Sequence, residues 1–413
     1  MIWASLLAAA ASPPPLDQEA LVRQALAKVP AIAATRLATQ AQQQRVEAAR
    51  GGYWPAVTLN AGLSRTTNAS NAQTTATPFD LATGGVGVHQ ELYNFGRTDA
   101  QVEAAQATLA ASTSQELLAG VEVAHQARRA YVGWVQALGL EDQAGEQRKA
   151  AERVSAQAQA FFRAGARAKL DVTRAKVAVE QAKAAEVGAH TAVEQANAEL
   201  ATAVGAPGPL VGQPDFAPVP PVGKLERKDL AALADAHPQL LAANARLAQA
   251  RAALATAEAT GKPDLGADGT YGVRARDWEG APNWQIGLSA SWLVFNGGAL
   301  QRTIDAARLQ ERSVQQDFES QRQAVQLAVS KAHLGVKGAA AKLPAVAAAL
   351  ASAKENVYQA EGRYKAGVGS IIEVSDAEGL LAVAEGDQVR ATGAYHLAIA
   401  DLIAALGMTG VQP

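Results

Sequence analysis

The sequence has 413 residues, of which 49% are hydrophobic but only 5% aromatic, so alanine, valine and leucine must supply most apolar positions. Small apolar residues of this kind suit long helices that pack closely side by side. The net charge of −2 comes from 37 basic and 39 acidic residues mixed along the chain, which argues against a nucleic-acid partner. The absence of cysteine excludes disulfides, thiolate metal sites and cysteine nucleophiles.

The N-terminus begins with a short apolar run. Residues 1–12, "MIWASLLAAAAS", end in small residues and are followed by "PPP", which is typical of a secretory signal peptide, although a basic segment before the run is missing. The alternative is a buried N-terminal helix segment. No other apolar run reaches the roughly 18 residues of a transmembrane helix, so a membrane-spanning part would have to consist of strands.

The chain contains an internal repeat. An offset of 202 residues aligns the following pairs: Tyr131 with His333, Gly133 with Gly335, Gly165 with Gly367, and Gly205 with Gly407. Upstream the offset becomes 208, so the first copy holds six extra residues before the point where the smaller offset begins. We predict two tandem copies, 13–205 and 225–413, joined by the Pro- and Gly-rich linker 206–224.

Each copy is predicted to start with a helix, about 17–50 and 226–260, that ends where glycine and proline stop it. Two strands with alternating apolar and polar residues follow in each copy, because a period of two indicates a strand with one apolar face. The predicted strands are about 56–66, 85–95, 263–274 and 283–295. Polar loops at 66–85 and 274–283 are expected between them.

Long helices are predicted after the strands, at about 97–163 and 299–365. At 1.5 Å per residue each would reach roughly 100 Å, which suits a coiled coil or a tubular assembly. Return helices should follow at about 170–205 and 370–407. Gly335, Gly338 and Pro344 predict a kink or a join within the second long helix.

The strands restrict the possible assemblies. Their length matches that of a tilted membrane-spanning strand, and strands in a bilayer must close into a barrel. Four strands cannot enclose a usable lumen, so several subunits would have to contribute. Trp284 and Trp292 are about 26 Å apart along a strand and, with Trp54, fit the aromatic girdles of an outer-membrane barrel. The alternative is a soluble β-hairpin domain with these tryptophans in its core.

The sequence lacks the patterns that mark catalytic sites. It has no nucleophile elbow, no phosphate-binding loop and no Cys–His arrangement. The six histidines are scattered without a pair at zinc-site spacing. We therefore expect no catalytic residues, no metal, no cofactor and no enzymatic activity.

Two motifs carry a resemblance to a known family. "LYNFGR" (92–97) and "VFNGGALQRTIDAA" (294–307) follow the strands, and residues 363–407, starting "RYKAGVGSIIEVSDAEG", form a turn and return helix. In these segments, and over essentially the whole mature chain, the sequence resembles the TolC family of outer-membrane efflux and secretion channels.

The resemblance implies a mainly α fold with transmembrane β-strands, arranged as a homotrimer. Three protomers would form a 12-stranded barrel in the outer membrane of a Gram-negative bacterium, continued by a 12-helix periplasmic tunnel. It implies contact with outer-membrane lipids, a periplasmic adaptor (membrane fusion protein) and an inner-membrane pump. The function implied is that of a passive exit duct in tripartite efflux or type I secretion.

The resemblance also assigns roles to the helix turns. Adaptor contacts are implied at the two turns: Gly165, Ala166, Arg167, Gly367, Val368 and Gly369. Glu373 and Asp376 would line the periplasmic aperture as a ring of six carboxylates, although acids also favour the first turn of any helix. Ser370 would cap that helix, with Glu373 completing a capping box. Gly369 replaces an arginine that helps lock the aperture in some members.

Several alternatives stay open at this point. Arg167 and Lys169 could pair with an adaptor or stay solvated. The whole chain could be a periplasmic adaptor, which also has a long helical hairpin, or a structural coiled-coil protein. The two copies are not equivalent, since Asp171 stands opposite Glu373 but Arg174 stands opposite Asp376. The second turn is therefore the better candidate for a gate.

Overall fold

The computed structural model describes residues 15–67, 78–214 and 236–410. The elements of the first half are β1 (Pro15–Leu16), α1 (Gln18–Lys28), α2 (Pro30–Arg50), β2 (Ala56–Thr67), β3 (Pro78–Tyr93), α3 (Arg97–Arg163), α4 (Lys169–Ala203) and β4 (Gln213–Pro214). Those of the second half are α5 (Pro238–Ala259), β5 (Asp264–Arg276), β6 (Glu279–Ser291), α6 (Ala299–Lys365) and α7 (Ile371–Ala405). The predicted signal peptide and most of the predicted linker lie outside the described residues.

Glycine ends all four of the long and return helices. Gly165 and Gly367, after α3 and α6, have φ of +73° and +83°, and Gly205 and Gly407, after α4 and α7, have φ of +64° and +71°. In each case the amide of the next residue bonds to the carbonyl five residues back, at 2.8–3.1 Å. Glycine adopts this left-handed conformation without the steric cost that a side chain adds, so the same stop signal recurs in both copies.

One antiparallel sheet combines both copies, with strand order β2-β3-β5-β6. The copies meet where β3 pairs with β5. Leu59, Val86, Tyr271 and Trp284 face one another across successive strands and form a single row. Side chains alternate between faces along a strand, so this row identifies the apolar face of the sheet.

The protomer divides into two compact units. One unit holds the helices around both turns. Its larger core joins α1, α3 and α4 through Val22, Tyr131 and Leu200, all fully buried. Beside this core the buried Arg128 bonds to Glu19 at 3.0 Å and to the carbonyl of Thr409 at 2.6 Å. The first and last described segments of the chain are thereby tied to α3.

The other unit holds the sheet and the adjoining parts of the helices. Arg97, the first residue of α3, donates to Glu91 at 2.6 Å and to Asp264 at 2.8 Å. These acids stand near the end of β3 and at the start of β5. The partly buried arginine thus fixes the point at which a strand passes into a long helix, and such charge-assisted bonds are stronger than neutral ones.

Several predictions about these elements were wrong. The loop predicted at 274–283 is only a two-residue turn between Arg276 and Glu279, and the helix predicted at 17–50 is divided at Val29 into α1 and α2. The loop predicted at 66–85 is too long, because β2 extends to Thr67 and β3 begins at Pro78, which pair with each other. The predicted join within α6 is absent, because the helix continues through Gly335, Gly338 and Pro344. A proline removes one backbone donor and clashes with one carbonyl, which weakens a helix without always ending it.

One described helix, α6, contains a stretch apolar enough to cross a membrane by length and composition. The sequence prediction that no such stretch exists beyond the N-terminus was therefore wrong by this measure. Only 11% of the stretch is buried in the protomer, and α6 as a whole has 67 residues, more than three times a membrane span. Its apolar residues are available to neighbouring helices.

Candidate functional site

The second helix turn, residues 366–370 between α6 and α7, is tightly packed. Ser370 caps α7, its hydroxyl accepting a hydrogen bond from the amide of Glu373 at 3.2 Å, as predicted. Gly369 is buried, and its amide donates to the carbonyl of Arg363 at 2.9 Å. A Cβ at this glycine would lie only 3.0 Å from the backbone of Arg363 and Tyr364, so the turn has no room for a side chain there.

Glu373 and Asp376 lie near the N-terminal end of α7, and both are exposed. At a spacing of three they share one face of the helix. The Glu373 carboxylate accepts a hydrogen bond from Arg363 at 3.2 Å across the turn. Asp376 has no ion pair among the described residues. The pair therefore presents one bridged and one free carboxylate, and the sequence analysis did not identify Arg363 as the partner.

Arg167 connects the first turn to the second. Its guanidinium donates to the carbonyl of Gly369 at 2.8 Å and lies 5.0 Å from the centre of the Tyr364 ring. The side chain is half-buried and has partners within the protomer, whereas the pairing with an adaptor that the sequence left open for it stays a prediction. No local signal in the sequence indicates this contact, because its partners lie about two hundred residues further along the chain.

An apolar cluster lies beneath both turns. It contains buried residues of all four surrounding helices: Val154, Ala158, Ala175, Ala360, Tyr364, Ile371, Val374 and Ala377. The Tyr364 ring packs edge-on against Phe161 with 5.5 Å between centres. Burial raises the pKa of the Tyr364 hydroxyl, and the charge of Asp171 adds to this effect. The two turns are thus parts of one packed structure.

The sheet presents an apolar face to its surroundings. Its largest side chains are strongly exposed, with Leu59 at 82%, Ile286 at 80% and Leu288 at 83%. Exposed apolar surface of this extent marks a protein or membrane contact. A soluble hairpin domain would bury the same residues in a core.

The three tryptophans predicted as a girdle are also exposed: Trp54 at 75%, Trp284 at 69% and Trp292 at 61%. Trp54 precedes β2 and Trp292 follows β6, so both stand at the end of the sheet that joins the helices. The indole of Trp292 donates to the carbonyl of Gly261 at 3.1 Å. Trp284 lies within β6 beside Tyr271, which the sequence analysis did not include in the girdle.

The opposite face of the sheet is polar. His89 and Ser289 both bond to the carboxylate of Asp268 at 2.7 Å. Gly85 and Gly272 face each other where β3 meets β5, and a Cβ on Gly272 would collide with the neighbouring strand. The two strands therefore approach each other more closely here than side chains would allow.

The comparisons with known proteins agree with this architecture. The family profile of outer membrane efflux proteins matches residues 21–206 and 230–408, most of both copies. The chain belongs to the outer membrane efflux protein family. This confirms the resemblance, places the protein in the outer membrane and excludes the periplasmic adaptor and the structural coiled-coil protein. Members are passive channels, so the prediction that the chain is not an enzyme is confirmed as well.

Individual relatives extend the comparison. The chain is 28% identical over 390 residues to Protein CyaE of Bordetella pertussis, covering 89% of this chain and 80% of that protein. A membrane protein from Pseudomonas aeruginosa superposes with a TM-score of 0.86 at 21% identity, over 99% and 97% of the two chains. The outer membrane protein VceC of Vibrio cholerae gives 0.84 at 18% identity, over 95% and 96%. Channels of this kind work with adaptor and inner-membrane pump partners.

Proposed function

We propose that the chain is one protomer of a homotrimeric, passive outer-membrane duct. The main support for this proposal is the four-stranded sheet. Its apolar face is exposed, and its edge strands β2 and β6 each pair with one described strand only. In hydrocarbon a sheet must close so that no backbone group is left unpaired. Three protomers would supply twelve strands for a barrel, with twelve helices continuing as a periplasmic tunnel.

The outer surface of this barrel would meet outer-membrane lipids. Trp54 and Trp292 would stand at the periplasmic interface, and Trp284 nearer the outer one, as amphipathic indoles favour the headgroup level. The predicted signal peptide, 1–12, would direct export and then be removed. The repeats 13–205 and 225–413, joined by the linker 206–224, would each supply two strands and one hairpin of helices.

The periplasmic end of the tunnel would be the gate. Glu373 and Asp376 are exposed on one face of α7, directly after the second turn. A trimer would place six such carboxylates around the opening, and rings of acids favour cations in channels. Opening would require the turns to move outward, and closing would return them to the packed arrangement around Tyr364.

The turns would also contact the partner proteins. Gly165, Ala166, Gly367 and Val368 are exposed, and Val368 keeps 70% of its surface accessible. We assign these four to the docking of a periplasmic adaptor, the membrane fusion protein of a tripartite efflux or type I secretion system. Arg167 and Gly369, predicted as contacts too, would act there only after leaving each other. An inner-membrane pump would supply the energy.

The assembly is tested by detergent extraction of the outer membrane followed by a mass measurement. Three chains of 42.6 kDa have a mass of about 128 kDa, and the mature trimer is slightly lighter because the predicted signal peptide is removed. A detergent-soluble complex of that mass supports the proposal. A monomer, or a protein released without detergent, contradicts it.

The gate is tested by recording the purified trimer in planar bilayers. The double variant Glu373→Ala/Asp376→Ala should lose cation preference and cation block, since it removes all six carboxylates of the proposed ring. The matched control is Glu355→Ala/Glu361→Ala, which removes two acids from α6 and leaves the sequence of α7 unchanged. Equal selectivity in the wild-type protein and the first variant would show that these acids do not line the aperture.

A further inference from the structure

A row of four residues crosses the polar face of the sheet from one edge to the other. Its members pair in order on successive strands: Asn60, Gly85, Gly272 and Asn283. A Cβ on either glycine would lie 3.0 Å or less from the backbone of the facing strand, so neither position has room for a side chain. Bare backbone therefore lies between two amide side chains in the middle of this face.

This bare backbone is the base of a depression of about 180 Å³, far more than the roughly 10–15 Å³ that one water needs. Polar side chains surround it. Asn60 and Asn283 lie at the two ends of the row, Thr83 and Arg274 lie on the side towards the strand turns, and Thr270 lies on the side towards the helices. The depression thus offers amide, hydroxyl and guanidinium groups to one small volume.

Arg274 differs from the other arginines of the sheet. The four strands contain three arginines. The Nε of Arg65 lies 3.8 Å from a carboxylate oxygen of Asp80, and the Nε of Arg276 lies 3.8 Å from one of Asp277. Arg274 is exposed and has neither an ion pair nor a side-chain hydrogen bond among the described residues. Its guanidinium is therefore available to a ligand.

The nearest acids on the same face do not neutralise Arg274. Asp268 lies six residues earlier on β5, about 20 Å away along the strand, and bonds to His89 at 2.7 Å. Glu279 stands at the strand turn, opposite Arg276 in the register. Uncompensated positive charge therefore remains beside the depression.

We propose that the depression is a binding site for a small oxyanion, such as the phosphate or carboxylate group of an exported solute. The guanidinium of Arg274 would bind two oxygens of the anion side by side, because its planar fork matches such groups. The amides of Asn60 and Asn283 and the hydroxyls of Thr83 and Thr270 would donate further hydrogen bonds. The missing side chains of the two glycines leave the volume that the anion occupies.

The position of the site in the duct rests on the proposed function, because the polar face borders the lumen only if the apolar face meets lipid. Arg274 lies two residues before the end of β5 at the strand turn, and the other end of the sheet joins the helices. Three copies of the site would therefore surround the lumen near the extracellular mouth. A leaving solute would meet carboxylates at the periplasmic end of the duct and guanidinium groups at the exit.

The test measures the binding of inorganic phosphate, and separately of acetate, to the full-length protein in detergent by isothermal titration calorimetry at constant ionic strength. Arg274→Gln should weaken the binding by about tenfold or more, since the charged donor is lost. Arg274→Lys keeps the charge without the fork and should give an intermediate loss. The matched control is Arg65→Gln, which removes an arginine near the same end of the sheet but on the opposite face and should bind as the wild type does.

A second variant supplies the missing carboxylate from within the sheet. Arg274 pairs with Ala281, two residues from Asn283 on β6, which is within reach of a long side chain. Asn283→Asp should therefore occupy the guanidinium and weaken phosphate binding as much as Arg274→Gln does. Asn283→Ala adds no carboxylate and should lose much less. Wild-type affinity in Asn283→Asp would contradict the role given to Arg274.

Bilayer recordings locate the site within the duct. Phosphate added on the side of the strand turns should lower the single-channel current of the wild-type trimer, because the bound anion narrows the exit. The current through Arg274→Gln should not respond to the same addition. Both channels should keep the cation preference of the periplasmic carboxylates, which this variant leaves in place.

The outcomes separate this inference from the function that it assumes. If the wild-type protein forms trimeric channels but binds neither anion, or binds them no better than Arg274→Gln, the site is refuted and the duct stands. If Arg65→Gln weakens binding equally, general surface charge is the cause and the site is again refuted. If both anions bind through Arg274 while no channel forms, the site stands and the proposed function fails. Binding of one anion alone supports the site and restricts it to that class of oxyanion.

Discussion

Gly369 is a single position on which the geometry of the second turn depends. It is buried, and a methyl group there would come within 3.0 Å of backbone atoms that cannot yield easily. Gly362, seven residues earlier in α6, has nothing near the place of a Cβ. Substitution by alanine should therefore have opposite effects on stability at Gly369 and at Gly362.

We predict that Gly369→Ala lowers the free energy of unfolding by about 1–3 kcal/mol through overpacking. Gly362→Ala should instead raise it by about 0.5–1 kcal/mol, because alanine is the better helix former. Thermal melts of the purified protein, followed by the helical circular dichroism signal, check both changes. Equal melting temperatures for Gly369→Ala and the wild type would show that the turn can relax around a side chain.

At the scale of single residues, the sequence predicted some contacts and missed others. The cap at Ser370 follows from local spacing and is confirmed. Glu373 was expected to complete the capping box, but its carboxylate accepts from Arg363 instead. Spacing could have indicated this pair, since a basic residue at a helix end faces an acid at the next helix start. The bond between Arg167 and Gly369 depends on how two hairpins pack, and no local pattern encodes that.

The elements themselves follow the sequence closely where glycine sets the boundary. The predicted helices 97–163 and 299–365 have the bounds of α3 and α6, because a glycine with positive φ stops each helix shortly after its end. The start of β3 was missed because its proline, Pro78, and its glycines, Gly84 and Gly85, are residues typical of loops. Pro344, with Gly335 and Gly338, predicted a kink or a join, and the helix continues without a join because it is long on both sides of the proline.

Two histidines beside or within helices should make the stability of the fold depend on pH. Burial lowers the pKa of His237, just before α5, and of His396, within α7, below the ordinary value of 6.5. Both then take up protons at lower pH in the folded protein than in the unfolded chain, so stability falls as the pH falls below about 6.5. His190 on α4 has the opposite sign, because its hydrogen bond and charge contact with Glu141 raise its pKa.

We predict that the melting temperature decreases between pH 7 and pH 5, and that His237→Gln/His396→Gln flattens this decrease. His190→Gln should steepen it, since the contact with Glu141 contributes stability at low pH that is lost as the pH rises through the folded pKa. Melting curves at several pH values measure all three proteins. An unchanged slope in the double variant would mean that other groups cause the acid sensitivity.

At the scale of the whole molecule, the orientation of the sheet decides whether the chain enters a membrane. Neighbouring residues of β6 provide a matched pair, since Ile286 is on the exposed apolar face and Gln285 is on the polar face. Arginine on the lipid face of a barrel costs about 2–4 kcal/mol near the middle of the bilayer. The same arginine on the lumen side stays in water.

We predict that Ile286→Arg sharply reduces the amount of trimer recovered from outer membranes, while Gln285→Arg assembles normally. Gel electrophoresis of unheated membrane fractions, calibrated against total expressed chain, compares the two variants. Similar yields from both would indicate that the apolar face does not contact lipid.

The recurrence of the glycine turns at an interval of 202 residues has a consequence for symmetry. In the proposed trimer, six turns of nearly the same backbone shape would surround the periplasmic opening. Their chemistry would repeat only three times, because the carboxylate pair Glu373 and Asp376 follows the second turn, whereas Asp171 and Arg174 hold the same positions after the first. Two kinds of turn would therefore alternate around the rim, so a docking partner built from identical units would find two kinds of binding site.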